Sequence, residues 1–190
     1  MFPSHDPSGG ISIDSANGLY NATIHGPTTG AGGQIGQNYL YDGTNDHLNT
    51  TMLITGLNQL SVSFWIKTSS TSTGHIFSTT TGSGDPDKTN IQTRILNNGT
   101  MHCDLRLSSG TTSFIYSTTN LSDNQYHHVV CTYDNKTIQM FIDGTLENTK
   151  TLTGSAINMQ YAPSIGAVTV KFPSPKLYNS VISLCVIFLL

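Results

Sequence analysis

Charge is scarce in this 190-residue chain: Asp, Glu, Lys and Arg together make up 10% of it, against roughly 25% in ordinary soluble domains. Glutamate occurs once, at Glu147, and tryptophan once, at Trp65. A single glutamate excludes any mechanism that needs two. Eight basic side chains against eleven acidic ones give a net charge of −3. That balance lacks the broad positive field on which duplex nucleic-acid binders depend, so no nucleic-acid partner is expected. No stretch repeats apolar residues at i, i+3, i+4 and i+7, which excludes an amphipathic helical bundle. What the chain has instead is uncharged polarity. Ser (21), Thr (27), Asn (15) and Gly (18) supply 81 residues.

Against that background, short alternating runs stand out. Leu60, Val62, Phe64 and Ile66 share one parity, with Ser61, Ser63 and Lys67 on the other. Trp65 breaks the polar parity, so this strand is expected to be central and covered on both sides. Met101, Cys103, Leu105 and Leu107 alternate with His102, Asp104, Arg106 and Ser108. Further strands are expected at Tyr20–Ile24, Tyr39–Tyr41, His47–Met52, Ile91–Leu96, Ser113–Ser117, Tyr126–Tyr133, Thr137–Ile142 and Leu146–Leu152. Asn97-Asn98-Gly99 and Asp143-Gly144 supply the positive φ of tight hairpin turns. So many short strands cannot lie in one flat sheet. The pattern predicts an all-β protein, a two-sheet antiparallel β-sandwich enclosing the alternating apolar residues.

The ends and the cysteines are read separately. Met1-Phe2-Pro3-Ser4-His5-Asp6-Pro7 has neither a basic n-region nor an apolar h-region, so it does not read as a signal peptide. Residues 1–7 form an N-terminal extension, 8–170 the sandwich domain and 171–190 an apolar C-terminal tail. The run Val181–Leu190 is too short for a helical membrane span. It reads as a buried terminal strand, atypical or truncated, with a cut-off membrane anchor or a reading-frame artefact as alternatives. Of Cys103, Cys131 and Cys185, the first two fall on the apolar parity of expected strands. A bridge between them is open, but buried free thiols are the preferred reading, since Cys packs as a small apolar side chain. Asn-x-Ser/Thr sequons at Asn21, Asn49, Asn98, Asn120 and Asn135 permit glycosylation without showing it.

Four blocks in order carry a family resemblance. They are Ser8–Ile24, Tyr39–Leu48, Leu60–Lys67, and Tyr126–Asp134 followed by Ile138–Gly144. Together they resemble the laminin-G-like, concanavalin A-like jelly-roll superfamily over residues 8 to 167. Ile165-Gly166-Ala167 also fits that pattern, whereas Lys171–Leu190 lacks the acidic closing strand usual in the family. The resemblance implies a jelly roll, and a structural Ca²⁺ held near Asp14 with Asn17 or Asp42 with Asp46. Asp85 with Asp87 is a third acidic loop, and the competing reading of all three is strand termination by Asx turns. Some relatives are glycoside hydrolases whose two glutamates alternate along one strand. Retaining chemistry needs two carboxyl groups about 5–5.5 Å apart, and here Glu147 stands alone.

Other catalytic signatures fail. Gly82-Ser83-Gly84-Asp85-Pro86-Asp87-Lys88-Thr89 puts Asp87 where a phosphate loop has glycine. His127 and His128 point to opposite faces of a strand and cannot easily share an ion; one is expected to face the core and the other solvent. The large aromatics Tyr39, Tyr41, Trp65, Tyr116, Tyr126 and Tyr133 are mostly expected in core or rim packing. The functional expectation is a non-catalytic recognition module, extracellular or on a surface, binding glycan or protein through edge loops. A structural spacer is the alternative, and a polysaccharide-cleaving enzyme the third reading.

Overall fold

A computed structural model describes residues 4–5, 10–13, 18–30, 32–36, 38–52, 57–79, 91–107, 112–152, 162–166 and 180–185. They form sixteen strands and no helix. Nine strands make one sheet: β1 (Ser4–His5), β2 (Ile11–Ile13), β3 (Ala22–His25), β6 (His47–Thr50), β15 (Ser164–Ile165), β8 (Gly74–Ser78), β9 (Ile91–Ile95), β10 (Thr100–Arg106) and β11 (Thr112–Asn120), in that spatial order. Seven make the other: β14 (Thr145–Thr151), β13 (Thr137–Ile142), β12 (Tyr126–Tyr133), β7 (Leu60–Thr68), β16 (Ser180–Cys185), β5 (Asn38–Tyr41) and β4 (Thr28–Gly30). All pairings are antiparallel. The fold is a jelly-roll β-sandwich.

Alternation decides what lies between the sheets. Val62, Phe64, Leu105 and Ile142 are each 3% exposed or less, in one continuous apolar core with Met101, Cys103, Val129, Cys131 and Met140. Tyr39, Tyr41 and Tyr133 are buried there too. β7 lies inside its sheet, paired to β12 and β16. Its outer side is less covered than its sequence suggests: Trp65 is only half-buried, stacked on His128 with ring centroids 5.0 Å apart. The described part of the apolar C-terminal run lies in β16 and enters the fold through backbone pairing, with Ile182 opposite Ile66 on β7 and Tyr39 on β5.

The turns form where their chemistry requires. Asp143 and Gly144 both have positive φ (51° and 81°), the backbone of a two-residue turn whose twist matches the strands it joins. Gly99 closes the β9–β10 hairpin by donating its N–H to the Leu96 carbonyl at 2.9 Å.

Candidate functional site

The face of β9, β10 and β11 turned away from the core carries the densest unusual chemistry. Ile91, Thr93 and Ile95 point inward from β9, as do Ser113, Ile115 and Ser117 from β11. By the period of two, Gln92, Arg94, His102, Asp104, Phe114 and Tyr116 must point outward. Register then sorts them into rows. Arg94, His102 and Tyr116 lie side by side across three strands, and Gln92, Asp104 and Phe114 form the next row.

Within these rows several polar groups contact one another. Arg94 Nε donates to His102 Nδ1 at 2.9 Å. That bond makes Nδ1 an acceptor, so the neutral ring carries its proton on Nε2, which lies 3.4 Å from Asp104 Oδ1. Arg94 Nη2 stands 3.6 Å from Asp104 Oδ2, closing a three-membered ring of contacts. Burial, and then the Arg94 charge, lowers the His102 pKa to about 4. His102 is therefore neutral at pH 7, and its 3.4 Å contact with Asp104 is not an ion pair. Burial raises Asp104 to about 6, against the pull of Arg94. Beside this ring, His75 on β8 lies opposite Arg94 and takes a 2.6 Å bond from Gln92 Nε2 on its Nδ1. Burial and Arg94 hold His75 at about 4.

Over this network lie two rings open to solvent. His102 is 1% exposed because Phe114 and Tyr116 cover it, with centroids 5.6 and 4.6 Å from the imidazole. The two aromatics meet edge to face at 5.5 Å and are themselves 45% and 40% exposed. Lys150 of β14 extends over the Phe114 ring at 5.2 Å. The result is an aromatic ridge on a polar base, flanked by the Lys150 cation.

The strand that presents the ridge is fastened at its free edge by the other sheet. Register slips between Met140 and Phe141, whose partners are Asn148 and Leu146, leaving Glu147 as the extra residue of a β-bulge. Such a bulge re-aims its side chain. Glu147 accepts hydrogen bonds from the Thr118 N–H at 2.6 Å, the Thr119 N–H at 3.1 Å and the Thr119 hydroxyl. Asn148 Nδ2 donates to the Tyr116 carbonyl at 2.9 Å. Partial burial opposes ionisation of Glu147, but these hydrogen bonds outweigh it and lower its pKa.

The residues expected to hold calcium fall differently. Asp14, Asn17, Asp85 and Asp87 lie outside the described residues. Asp42 and Asp46 do come together in one turn, where Asp46 Oδ2 accepts the Asp42 N–H at 2.8 Å and Asp42 Oδ1 accepts the Thr44 N–H at 2.7 Å. Asp46 is nearly buried against Gly26, where a β-carbon would clash with its Oδ1. One oxygen of each carboxylate is thus committed to the backbone. The remaining two fall short of the six to eight oxygens calcium takes, so the turn by itself does not fit the ion. Among the described residues, no group of three or more His, Cys, Asp or Glu could hold a metal.

His127 and His128 do take opposite faces, but neither is solvent-exposed. His127 Nδ1 is 2.7 Å from Asp143 and its Nε2 is 3.2 Å from Asp123. The two carboxylates meet opposite edges of the ring and cannot converge on one ion. Partial burial works against the charged ring, the bonds to Asp143 and Asp123 outweigh it, and the His127 pKa is raised. His128 stacks on Trp65 and bonds Ser63 at 2.8 Å. The sequence reading included Tyr116 among its aromatics, but it missed Phe114, Arg94, His102 and Asp104 as a group. The available signal was parity: Phe114 and Tyr116 occupy the positions between Ser113, Ile115 and Ser117.

Residues 42–174 match the family model described as the concanavalin A-like lectin/glucanases superfamily. The chain belongs to that superfamily. Among solved structures, the binding domain of Paraclostridial Mosquitocidal Protein 1 is similar at a TM-score of 0.70 and 13% identity, over 93% of this chain and 45% of that one. The receptor binding domain of botulinum neurotoxin C/D mosaic serotype is similar at 0.66 and 14%, over 93% and 45%. The botulinum neurotoxin serotype D ligand binding domain in complex with N-acetylneuraminic acid is similar at 0.61 and 16%, over 90% and 43%. Such identities show shared fold alone. The chain spans less than half the length of these solved structures. No curated protein sequence matches it. No helix among the described residues is long and apolar enough to cross a membrane.

Proposed function

We propose that this superfamily member is a non-catalytic recognition module, displayed outside the cell or on a surface, that binds a glycan or protein partner. The observation that carries this reading is the pair of exposed rings, Phe114 and Tyr116, seated on the Arg94–His102–Asp104 base. Sugars offer C–H faces that stack on aromatic rings and hydroxyls that need directed polar partners. Rigid strands hold such groups more closely than loops do. The binding face is thereby moved from the edge loops to the outer side of a sheet edge. Non-catalysis is supported by Glu147, whose carboxylate is occupied in joining two sheet edges.

The test is a glycan array and a pull-down with wild type and the double variant Phe114→Ala/Tyr116→Ala. Loss of two stacking rings at about 1 kcal/mol each is expected to weaken binding roughly 30-fold; the melting temperature falls because the rings also cover His102, so affinity is measured well below it, where the variant is folded. Retention of full affinity by the variant would remove this face from the proposal. Wild type that binds no glycan and no partner favours the spacer reading, and reducing-end release from a polysaccharide favours the hydrolase.

Calcium is a separate proposal. The Asp42–Asp46 turn would need further oxygens, such as backbone carbonyls, to complete a shell. Millimolar Ca²⁺ added to chelator-treated protein is expected to raise the melting temperature, and Asp46→Asn to abolish the rise. An identical melting curve with and without the ion removes the proposal.

A further inference from the structure

Cys103 projects into the core from β10 and Cys131 from β12, one from each sheet. Both are free and buried. Together with Leu60, Ile91, Leu105 and Ile138 they line one small apolar cavity between the sheets. The two thiols thus face one void from opposite sheets, and Cys131 is the largest influence on the ionisation of Cys103. From this juxtaposition we infer that Cys103 and Cys131 form an inter-sheet disulfide when the chain folds under oxidising conditions.

The surrounding geometry favours the bond in two ways. The adjoining void lets the two sulfurs shift toward bonding geometry without overpacking the core. β10 and β12 each lie inside their sheets, paired on both sides, so the link would join the interiors of the two layers. No other described contact between the sheets is covalent. The inference is independent of what the module binds.

The chemistry balances with a small-molecule disulfide as oxidant. One cysteine, as thiolate, attacks oxidised glutathione, forming a mixed disulfide and releasing one glutathione thiolate. The second protein thiolate then attacks the cysteine sulfur of that mixed disulfide and releases the second glutathione. Two protein thiols are oxidised, one glutathione disulfide is reduced, and the two thiol protons end on the two glutathiones. Attack requires a thiolate, and contact with Cys131, together with burial, raises the Cys103 pKa well above its ordinary value. The bond therefore forms while the chain is folding, before the core closes, and the folded thiol form oxidises slowly.

The experiment refolds the full chain carrying Cys185→Ser from denaturant, once in a glutathione redox buffer and once with excess reductant. Expected in the oxidised sample are a mass lower by two hydrogens, a disulfide-linked peptide pair containing Cys103 and Cys131, and no alkylation of either after unfolding. Cross-linking across a loop of this length is expected to raise the melting temperature by about 10 °C over the reduced sample. The inference is overturned if both cysteines remain alkylatable after oxidative refolding, or if only mixed disulfides with glutathione form. In the chain with its native Cys185, a dominant bridge from Cys185 to either partner would overturn it as well.

Discussion

Lowering the pH from 7 to 4 is expected to destabilise the fold by about 3 kcal/mol, seen as a falling midpoint of urea unfolding. His75 and His102 drive the change. Each has a folded pKa of about 4, against an ordinary value of 6.5. Between those values the unfolded chain binds protons that the folded chain refuses, so stability rises with pH across the window and is lost on acidification. Each shift is worth about 3 kcal/mol when fully expressed. Asp104 runs the other way: its folded pKa of about 6 exceeds the ordinary 3.8, so the folded chain keeps a proton that the unfolded chain releases. That contribution strengthens as pH falls from 6 toward 4, and it offsets about one histidine. The net is one extra proton bound on unfolding. His127 belongs to the alkaline side, because its pKa is raised; its contribution is complete below 6.5 and fades as pH climbs through the folded value. Urea unfolding at pH 7, 6, 5 and 4 gives the slope directly. His102→Gln retains an acceptor for Arg94 while removing the titration, so its slope should be smaller by one proton. A midpoint that is flat or rises toward pH 4 would sink the argument.

How far these features could be read in advance depends on which structural rule expresses them. β10 was legible because a polar residue follows each apolar one, and the Asp143-Gly144 turn was legible because few residue pairs tolerate two positive φ angles. β8 was not, since all of Gly74–Ser78 is buried and a run covered on both faces has no period of two. Strands as short as Ser164–Ile165 carry no pattern. Tyr133 and Tyr116 are the same residue type in neighbouring stretches, yet one is 3% exposed and the other 40%; strand parity separates them and composition cannot. The Arg94–His102–Asp104 ring needs the pairing of β9 with β10, and register is a property of two strands at once. The fold was thus readable strand by strand, whereas the site exists only where strands meet.

Glu147 extends that distinction, because nothing in Thr145–Thr151 marks one residue as the extra member of a bulge. Replacing it with alanine is expected to destabilise the protein by about 2 kcal/mol at pH 7. Hydrogen bonds to a charged group are worth roughly 1.5–3 kcal/mol. The carboxylate collects three, but it is only partly buried, so water replaces part of what is lost. Glu147→Gln keeps an acceptor and loses the charge, so about half the effect is expected. The lowered pKa of Glu147 sets the pH dependence: its contribution is full above the ordinary 4.5 and vanishes as pH falls through the folded value. Wild type and the alanine variant should therefore converge in stability at strongly acidic pH. Amide exchange at Thr118 and Thr119 gives a local readout, expected to quicken at least tenfold in the alanine variant. Since β11 also presents Phe114 and Tyr116, the same variant should weaken ligand binding through looser positioning of the rings. Stability within 0.5 kcal/mol of wild type, with unchanged exchange at Thr118 and Thr119, would mean that Glu147 does not fasten the two edges.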